Sequence, residues 1–224
     1  MTSTTPTPLT VLDGAAVADW IRRTSQLISA HADELTALDA AIGDADHGAN
    51  MKRGLAAAVD ALASQPQAPA AVLKQTAMAL ISKVGGAAGP LYGTFFLRMS
   101  TACAGKDALD VDSLAAAVAA GVGGIVQRGS AEAGDKTMID AWNPALEALN
   151  AAAADTSSLA QAVAAAAAAA DSGRAATEPM PAKKGRASYL GERSIGHIDP
   201  GAASTALIVQ ALADVVSGSA AGEA

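Results

Sequence analysis

Apolar residues recur at helical spacing along almost the whole chain. Val17, Trp20, Ile21, Thr24, Leu27 and Ile28 fall on one face of a period of about 3.6 residues, and Asp13 suits the N-cap before them. A short helical piece is expected around Asp33 to Ala40, followed by a turn at Gly43-Asp44-Ala45-Asp46-His47-Gly48. A helix should resume near Ala49 and run to Ser64, and Gln65-Pro66-Gln67-Ala68-Pro69 should break it. Val72, Leu73, Thr76, Ala77 and Leu80 then share a face. Gly85-Gly86-Ala87-Ala88-Gly89-Pro90 interrupts again, with Pro90 placed for the first turn of a helix carrying Leu91, Thr94, Phe95 and Arg98. Val111, Leu114, Val118, Val122 and Ile125 mark a further helix. Two alanine-rich helices are expected at 139–153 and 157–171, and a last one at 201–216. Period-two alternation is absent from the sequence. The pattern predicts an all-α fold of about eight helices with short links.

One link is long. Residues 172–200 carry no clear helical period, and segments of that length in compact domains tend to be functional or disordered. Arg174, Lys183, Lys184, Arg186 and Arg193 lie there, five of the chain's 15 Lys and Arg, beside the packable Tyr189, Leu190 and Ile195. Residues 1–12 are expected as a flexible leader, 13–216 as one domain, and 217–224 as a small-residue tail.

Composition narrows the picture. Of 224 residues, 51% are hydrophobic and only 3% aromatic, which suits closely packed helices with small side chains rather than a sheet. A net charge of −7 argues against general nucleic-acid binding, which needs a basic face. The single cysteine, Cys103, cannot form an internal disulfide and points to a reducing compartment. The start of the chain lacks the basic and apolar regions of a signal peptide. The longest apolar stretch, Ala162 to Ala170, falls short of the roughly 20 residues that cross a bilayer. A cytoplasmic protein without a membrane partner is expected.

The candidate chemistry begins with Asp39, Asp44 and Asp46. Carboxylates so close repel unless a cation or a hydrogen-bond network neutralises them. Magnesium suits them, being an oxygen-seeking ion held by a few carboxylates together with substrate phosphates. On spacing alone, a helix cap with solvated neighbours is the better account, because acidic turns at helix starts are common. A calcium loop does not, because Ala49 and Leu55 stand where its glycine and bidentate glutamate belong. The glycine-rich segment before Pro90 is placed to offer backbone amides to an anion or to serve as a plain link. Gly129 to Thr137 approaches a phosphate-binding P-loop, but Asp135 separates Gly134 from Lys136 and a helix precedes it instead of a strand. Arg186 in the long segment is of a kind that stabilises transferring phosphate, whereas Asp199-Pro200-Gly201 by itself is an ordinary helix start. His31, His197 and Cys103 carry no nucleophile arrangement.

Together these segments resemble one family. Leu38 to Met51, Gly85 to Thr94, Gly134 to Asp140, and Gly185 to Ser204 look like the signature of the dihydroxyacetone kinase L subunit, in order and spacing, over about residues 15–216. The resemblance implies a single-domain antiparallel eight-helix barrel with ADP or ATP at one end. It implies two Mg2+ ions between Asp39, Asp44, Asp46 and the phosphates. It implies nucleotide contacts at His47, Gly48, Ala49, Asn50, Ala87, Ala88, Gly134, Met138, Arg186, Asp199, Pro200 and Gly201, with Arg186 also catalytic. The family often has serine where this chain has Ala88, so one side-chain contact to phosphate is lost.

The implied reaction is phosphoryl transfer to dihydroxyacetone held on a separate K subunit. In one branch of the family, bound ADP is rephosphorylated in place by a phosphohistidine protein, the M subunit. In the other, ATP exchanges and both domains share a long chain. The absence of a K domain in these 224 residues favours the first branch, with a split ATP-dependent enzyme as the alternative. A nucleotide-dependent contact with a transcriptional regulator is a third role. Fatty-acid kinases, with an Asp-Gly-Asp-Thr-Gly-like motif, fit less well than the triose branch.

Overall fold

The computed structural model describes residues 7–62 and 67–219. Among them are nine α-helices: α1 (Gly14–Ala30), α2 (Ala32–Ile42), α3 (His47–Ala61), α4 (Pro69–Lys83), α5 (Ala88–Ala102), α6 (Val111–Gly129), α7 (Ile139–Ala154), α8 (Leu159–Ala176) and α9 (Pro200–Ser217). Eight of them form a closed ring in the order α1, α3, α4, α5, α6, α7, α8, α9 and back to α1. The ninth, α2, lies across α3 and α9. The starts of α3, α5, α7 and α9 line one cavity, and the starts of α6 and α8 line another. Alternate helices therefore point in opposite directions, which makes an antiparallel barrel. A two-residue antiparallel pair, β1 (Leu12–Asp13) with β2 (Ala108–Leu109), ties the starts of α1 and α6 together.

The few aromatic residues are concentrated inside. Trp20 on α1, Phe95 and Phe96 on α5, and Trp142 on α7 form a chain of ring contacts with centroids 4.1–5.6 Å apart. Helices that are not neighbours in the ring thus meet through rings, while alanines and small aliphatics fill the seams. Closure of the ring joins the two ends of the chain. Trp20 Nε1 donates to Ile208 O at 2.9 Å, and Arg23 pairs with Asp214 at 2.8 Å. The helix α9 is long and apolar enough to pass as a membrane span, but 67% of it is buried inside the barrel.

Several boundaries differ from those expected. Residues 9–12, assigned to a leader, are held: Leu9 N–H donates to Val216 O at 2.8 Å and Leu12 is fully buried. Residues 1–6 of the leader and 220–224 of the tail lie outside the described residues, as do 63–66, where the end at Ser64 and the Gln65-Pro66 break fall. Ser217 ends α9 instead of beginning a tail. Helix α3 starts at His47, two residues early, because the Asp39 carboxylate accepts from the amides of Asp46 and His47. Helix α8 runs on to Ala176, past Gly173. A Cβ at Gly173 would sit 2.2 Å from Asp140 O, so this glycine serves close approach of α8 to α7 and not a turn. The long link also contains a 3-10 helix at Arg186–Ser194, kinked at Gly191.

Candidate functional site

The acidic turn is held by its own first member. Asp39, near the end of α2, is buried, and its Oδ2 accepts from Asp46 N at 2.8 Å and His47 N at 3.1 Å. One carboxylate thereby caps α3 from the preceding helix and fixes the turn. Gly43 must lack a side chain, since a Cβ there would stand 2.0 Å from Asp39 Oδ1. The result is that one oxygen from each of Asp39, Asp44 and Asp46 lies within 4.8 Å of the others. Three hard oxygen donors at this separation fit a magnesium site and offer nothing to a thiophilic metal.

These carboxylates open onto a cavity of about 500 Å3. Four helix N-termini meet there: α3 at His47, α5 at Ala88, α7 at Ile139 and α9 at Pro200. Each brings unpaired amides and the positive end of a helix dipole, so their convergence favours a multiply charged anion. Carboxylates serve three of the four. Asp39 caps α3, Asp199 accepts from Ala202 N at 2.7 Å on α9, and Asp140 accepts from Gly134 N and Thr137 N ahead of α7. No side chain caps α5. Its start, after the Gly85-Gly86 turn, is the one of the four that no carboxylate serves. Away from the acids the wall turns apolar, through Leu91, Ile125, Met138 and Ile139.

Electrostatics set the polar wall. Asp199 is buried, and burial pushes its carboxyl up to about 7 against the pull of its amide bonds. His47 is lowered by burial, with Asp39 and Asp46 opposing. Its Nε2 lies 2.9 Å from Ser204 Oγ, which meets Tyr92 OH at 2.7 Å. Arg186 reaches over the mouth and pairs with Asp44 at 3.0 Å.

Of the residues singled out from sequence, Asp39, Asp44, Asp46, His47, Asn50, Ala87, Ala88, Met138, Arg186, Asp199, Pro200 and Gly201 all line this cavity. Gly48, Ala49 and Gly134 do not. Gly48 is buried against Ala32 of α2, Ala49 faces outward, and the Gly134 amide is taken by Asp140. Gly129, at the end of α6, stands in the wall instead. Lys136 has a role the near P-loop pattern hid. Its fully buried ammonium donates to the carbonyls of Thr177, Met180 and His197, with a longer contact to Glu178, and so pins the long link to the α7 start. Backbone carbonyls leave no signal in sequence, which is why this partner set could not be read there.

Residues 41–214 match the DAK2 domain family. The chain is 44% identical, over 203 residues, to the ADP-binding subunit DhaL of PEP-dependent dihydroxyacetone kinase from Escherichia coli (strain K12), covering 90% of this chain and 97% of that one. It belongs to the dihydroxyacetone kinase L-subunit family. A second member, the ADP-binding subunit DhaL of the PTS-dependent enzyme from Lactococcus lactis subsp. lactis (strain IL1403), is 42% identical over 89% of this chain and 96% of its own. Among solved structures, the dihydroxyacetone kinase of C. freundii in complex with AMP-PNP and Mg2+ superposes with a TM-score of 0.68 at 26% identity. The match covers 96% of this chain but 36% of that one, so this L-subunit chain corresponds to one part of a longer kinase.

Proposed function

We propose that this chain is the ADP-binding subunit of a phosphoenolpyruvate-dependent dihydroxyacetone kinase. It binds ADP or ATP in the barrel-end cavity and passes a phosphoryl group to dihydroxyacetone held by a separate K subunit. The observation that carries this reading is the meeting of three carboxylates and four helix N-termini at one 500 Å3 cavity. The amides of the open α5 start take a phosphate, while Leu91, Ile125, Met138 and Gly129 accept the nucleobase. Asp39, Asp44 and Asp46 would hold two magnesium ions beside the nucleotide phosphates. Bound magnesium neutralises phosphate charge and polarises the transferring group as a Lewis acid. Arg186, on the link pinned by Lys136, moves its charge from Asp44 to the transferring phosphoryl group.

The rim suits a protein partner. Tyr189 is 87% exposed, on the same 3-10 helix as Arg186 and with Lys183, Lys184 and Arg193 close in sequence. Exposed aromatic and arginine side chains are typical anchors of interfaces. We assign this rim to the K subunit and to a cytoplasmic phosphohistidine protein that rephosphorylates ADP in place. Mass measurement of the nucleotide released from freshly purified, denatured protein tests the donor. Stoichiometric ADP surviving gel filtration is expected. Protein that loses nucleotide on the column yet turns over with added ATP belongs instead to a split ATP-dependent enzyme.

A further inference from the structure

Lys136 stands in the cavity wall, yet its donors are spent on backbone oxygens. The residue is 1% exposed, and its ammonium donates to Thr177 O at 2.7 Å, Met180 O at 3.1 Å and His197 O, with Glu178 O farther off at 3.3 Å. An ammonium has three hydrogens, so these carbonyls use all of them. None is left for a phosphate oxygen, which is what the lysine of a P-loop binds. Burying the charge is costly unless its hydrogen bonds are made. Lys136 also holds a left-handed φ of 62°, unfavourable for a residue with a side chain.

The oxygens it binds lie on both sides of one loop. Thr177, Glu178 and Met180 leave the end of α8, whereas His197 leads into α9. Three further bonds close the same neck. Asp199 N–H donates to Thr177 Oγ1 at 3.0 Å, Gly196 N–H to Glu178 O at 2.8 Å, and Ala182 N–H to Ser194 Oγ at 2.8 Å. Next to Lys136 in the chain, Asp135 O accepts from Lys183 N at 3.0 Å. The loop beyond the neck, 183–193, carries Arg186 to the acidic turn. There Arg186 meets Asp44 at 3.0 Å, but its side chain is 69% exposed, and ion pairs of that kind are weak. The neck therefore decides where Arg186 sits, and Lys136 enters it from outside the loop.

We propose that Lys136 is a positioning residue for phosphoryl transfer: it clamps the neck of the 177–199 loop to the α7 start and so sets the place of Arg186, without itself binding phosphate. This rests on the transfer reading above, in which Arg186 acts on the moving phosphoryl group. A misplacement of about 1 Å at a reacting centre can cost ~10²-fold in rate. Loss of the clamp should therefore slow transfer and leave nucleotide affinity almost intact. A lysine that gripped phosphate would lose affinity as well.

Lys136→Met keeps an unbranched side chain and removes its donors. In single-turnover transfer from the ATP-loaded protein to the K subunit with dihydroxyacetone, Lys136→Met should be slower by ~10²-fold. Calorimetry with magnesium and ADP should find its affinity within about threefold of wild type. The double variant with Arg186→Ala should be no slower than Arg186→Ala alone, because the clamp acts only through that arginine. Hydrogen exchange of the ligand-free proteins reads the clamp without the reaction. The amides of Ala182, Gly196 and Asp199 should be protected in wild type and exchange faster in Lys136→Met, with α1 and α4 unchanged. Ser194→Ala opens the neck at a different bond and carries the same comparisons if Lys136→Met fails to fold. Losses that multiply in the double variant, a parallel loss of ADP affinity, or unchanged exchange at the neck overturn the proposal. Wild-type protein that transfers nothing to the K subunit overturns the functional reading instead, and the exchange data still decide whether Lys136 closes the neck.

Discussion

Two aspartates cap two helices by the same bond and sit in opposite electrostatic states. Asp110, before α6, accepts from Ser113 N at 2.9 Å; Asp199, before α9, accepts from Ala202 N at 2.7 Å. Asp110 is exposed, and its hydrogen bonds to Ser113 hold its pKa below the ordinary value. Asp199 is buried, and desolvation outweighs the same kind of bond, so its carboxyl rises to about 7. The contrast extends to the two ends of the barrel. At the Asp110 end, Asp13, Asp110 and Ser158 each cap the helix that follows through an amide three residues on. At the Asp199 end, α3 is capped from another helix, α5 by no side chain, and α7 by a residue already inside it. One end spends its polar groups on the fold. The other leaves donors and carboxylates poised for something outside it.

Removing a carboxylate from the cavity should therefore damage function and spare the fold. Asp44→Asn or Asp46→Asn is expected to lower triose-kinase flux by ~10⁴-fold, since a bound metal supplies several kcal/mol of charge stabilisation in such transfers. The loss in stability should be small. The Asp44–Arg186 pair joins side chains 36% and 69% exposed, and exposed pairs contribute about 0–1 kcal/mol. The same substitutions should abolish the joint stabilisation of the protein by magnesium with ADP. A coupled kinase assay beside thermal melts decides it; a fully active variant removes the acidic trio from the metal site.

Arg186 should show the next largest effect. An arginine supplied to a transferring phosphoryl group contributes ~10³–10⁵ in rate, whereas a ground-state contact would chiefly alter affinity. Arg186→Ala should reduce single-turnover transfer to the K subunit by ~10³-fold or more while ADP affinity falls by less than about tenfold. Lysine should rescue in part, because it restores charge without the planar fork. Equal losses in transfer and binding would reduce Arg186 to a nucleotide clamp.

The two ends also differ in how far sequence exposes them. Local caps are written locally, so Asp13 and the start of α1 were legible. The acid trio was legible because its members lie within one turn region. What depends on distant partners was not. Nothing near Asp39 announces that it will cap α3, and Gly173 looks like a breaker until α7 lies against it. Motif grounds put Gly134 in the expected contact set, whereas the bond of its amide to the Asp140 side chain and the place of Gly129 in the cavity wall depend on the fold. The closure of α9 on α1 through Trp20 and Arg23 joins residues that only the fold brings together.

Asp199 offers a stability test of the functional end. Its pKa is raised on folding, so its contribution is fully present below the ordinary carboxylate range and is lost as pH rises through about 7. The ligand-free protein should lose stability across that window and level off above it. Asp199→Asn keeps a good N-cap without the buried charge. It should flatten the profile and stabilise the protein at alkaline pH by on the order of 2–4 kcal/mol. Melting curves of both proteins across pH check this. An unchanged slope in the variant would show that Asp199 does not carry the effect.

Asp110 supplies the smallest effect and the opposite sign. Loss of an aspartate N-cap costs about 0.5–2 kcal/mol, so Asp110→Ala should lower the melting temperature by several degrees or less for a domain of this size. ADP affinity and transfer should not change, because α6 starts at the end of the barrel away from the cavity. The pH dependence follows from the lowered pKa of this group. Its contribution is present above the ordinary aspartate value and disappears as pH falls through the lower folded value. Wild type and Asp110→Ala should therefore melt apart at neutral pH and converge in acid, whereas wild type and Asp199→Asn should differ most at alkaline pH. A change in ADP affinity in Asp110→Ala would mean that the two ends are coupled through α6, whose last residues, Arg128 and Gly129, reach the cavity wall. Unaltered affinity with a lowered melting temperature would place stability and ligand recognition at separate ends of one barrel.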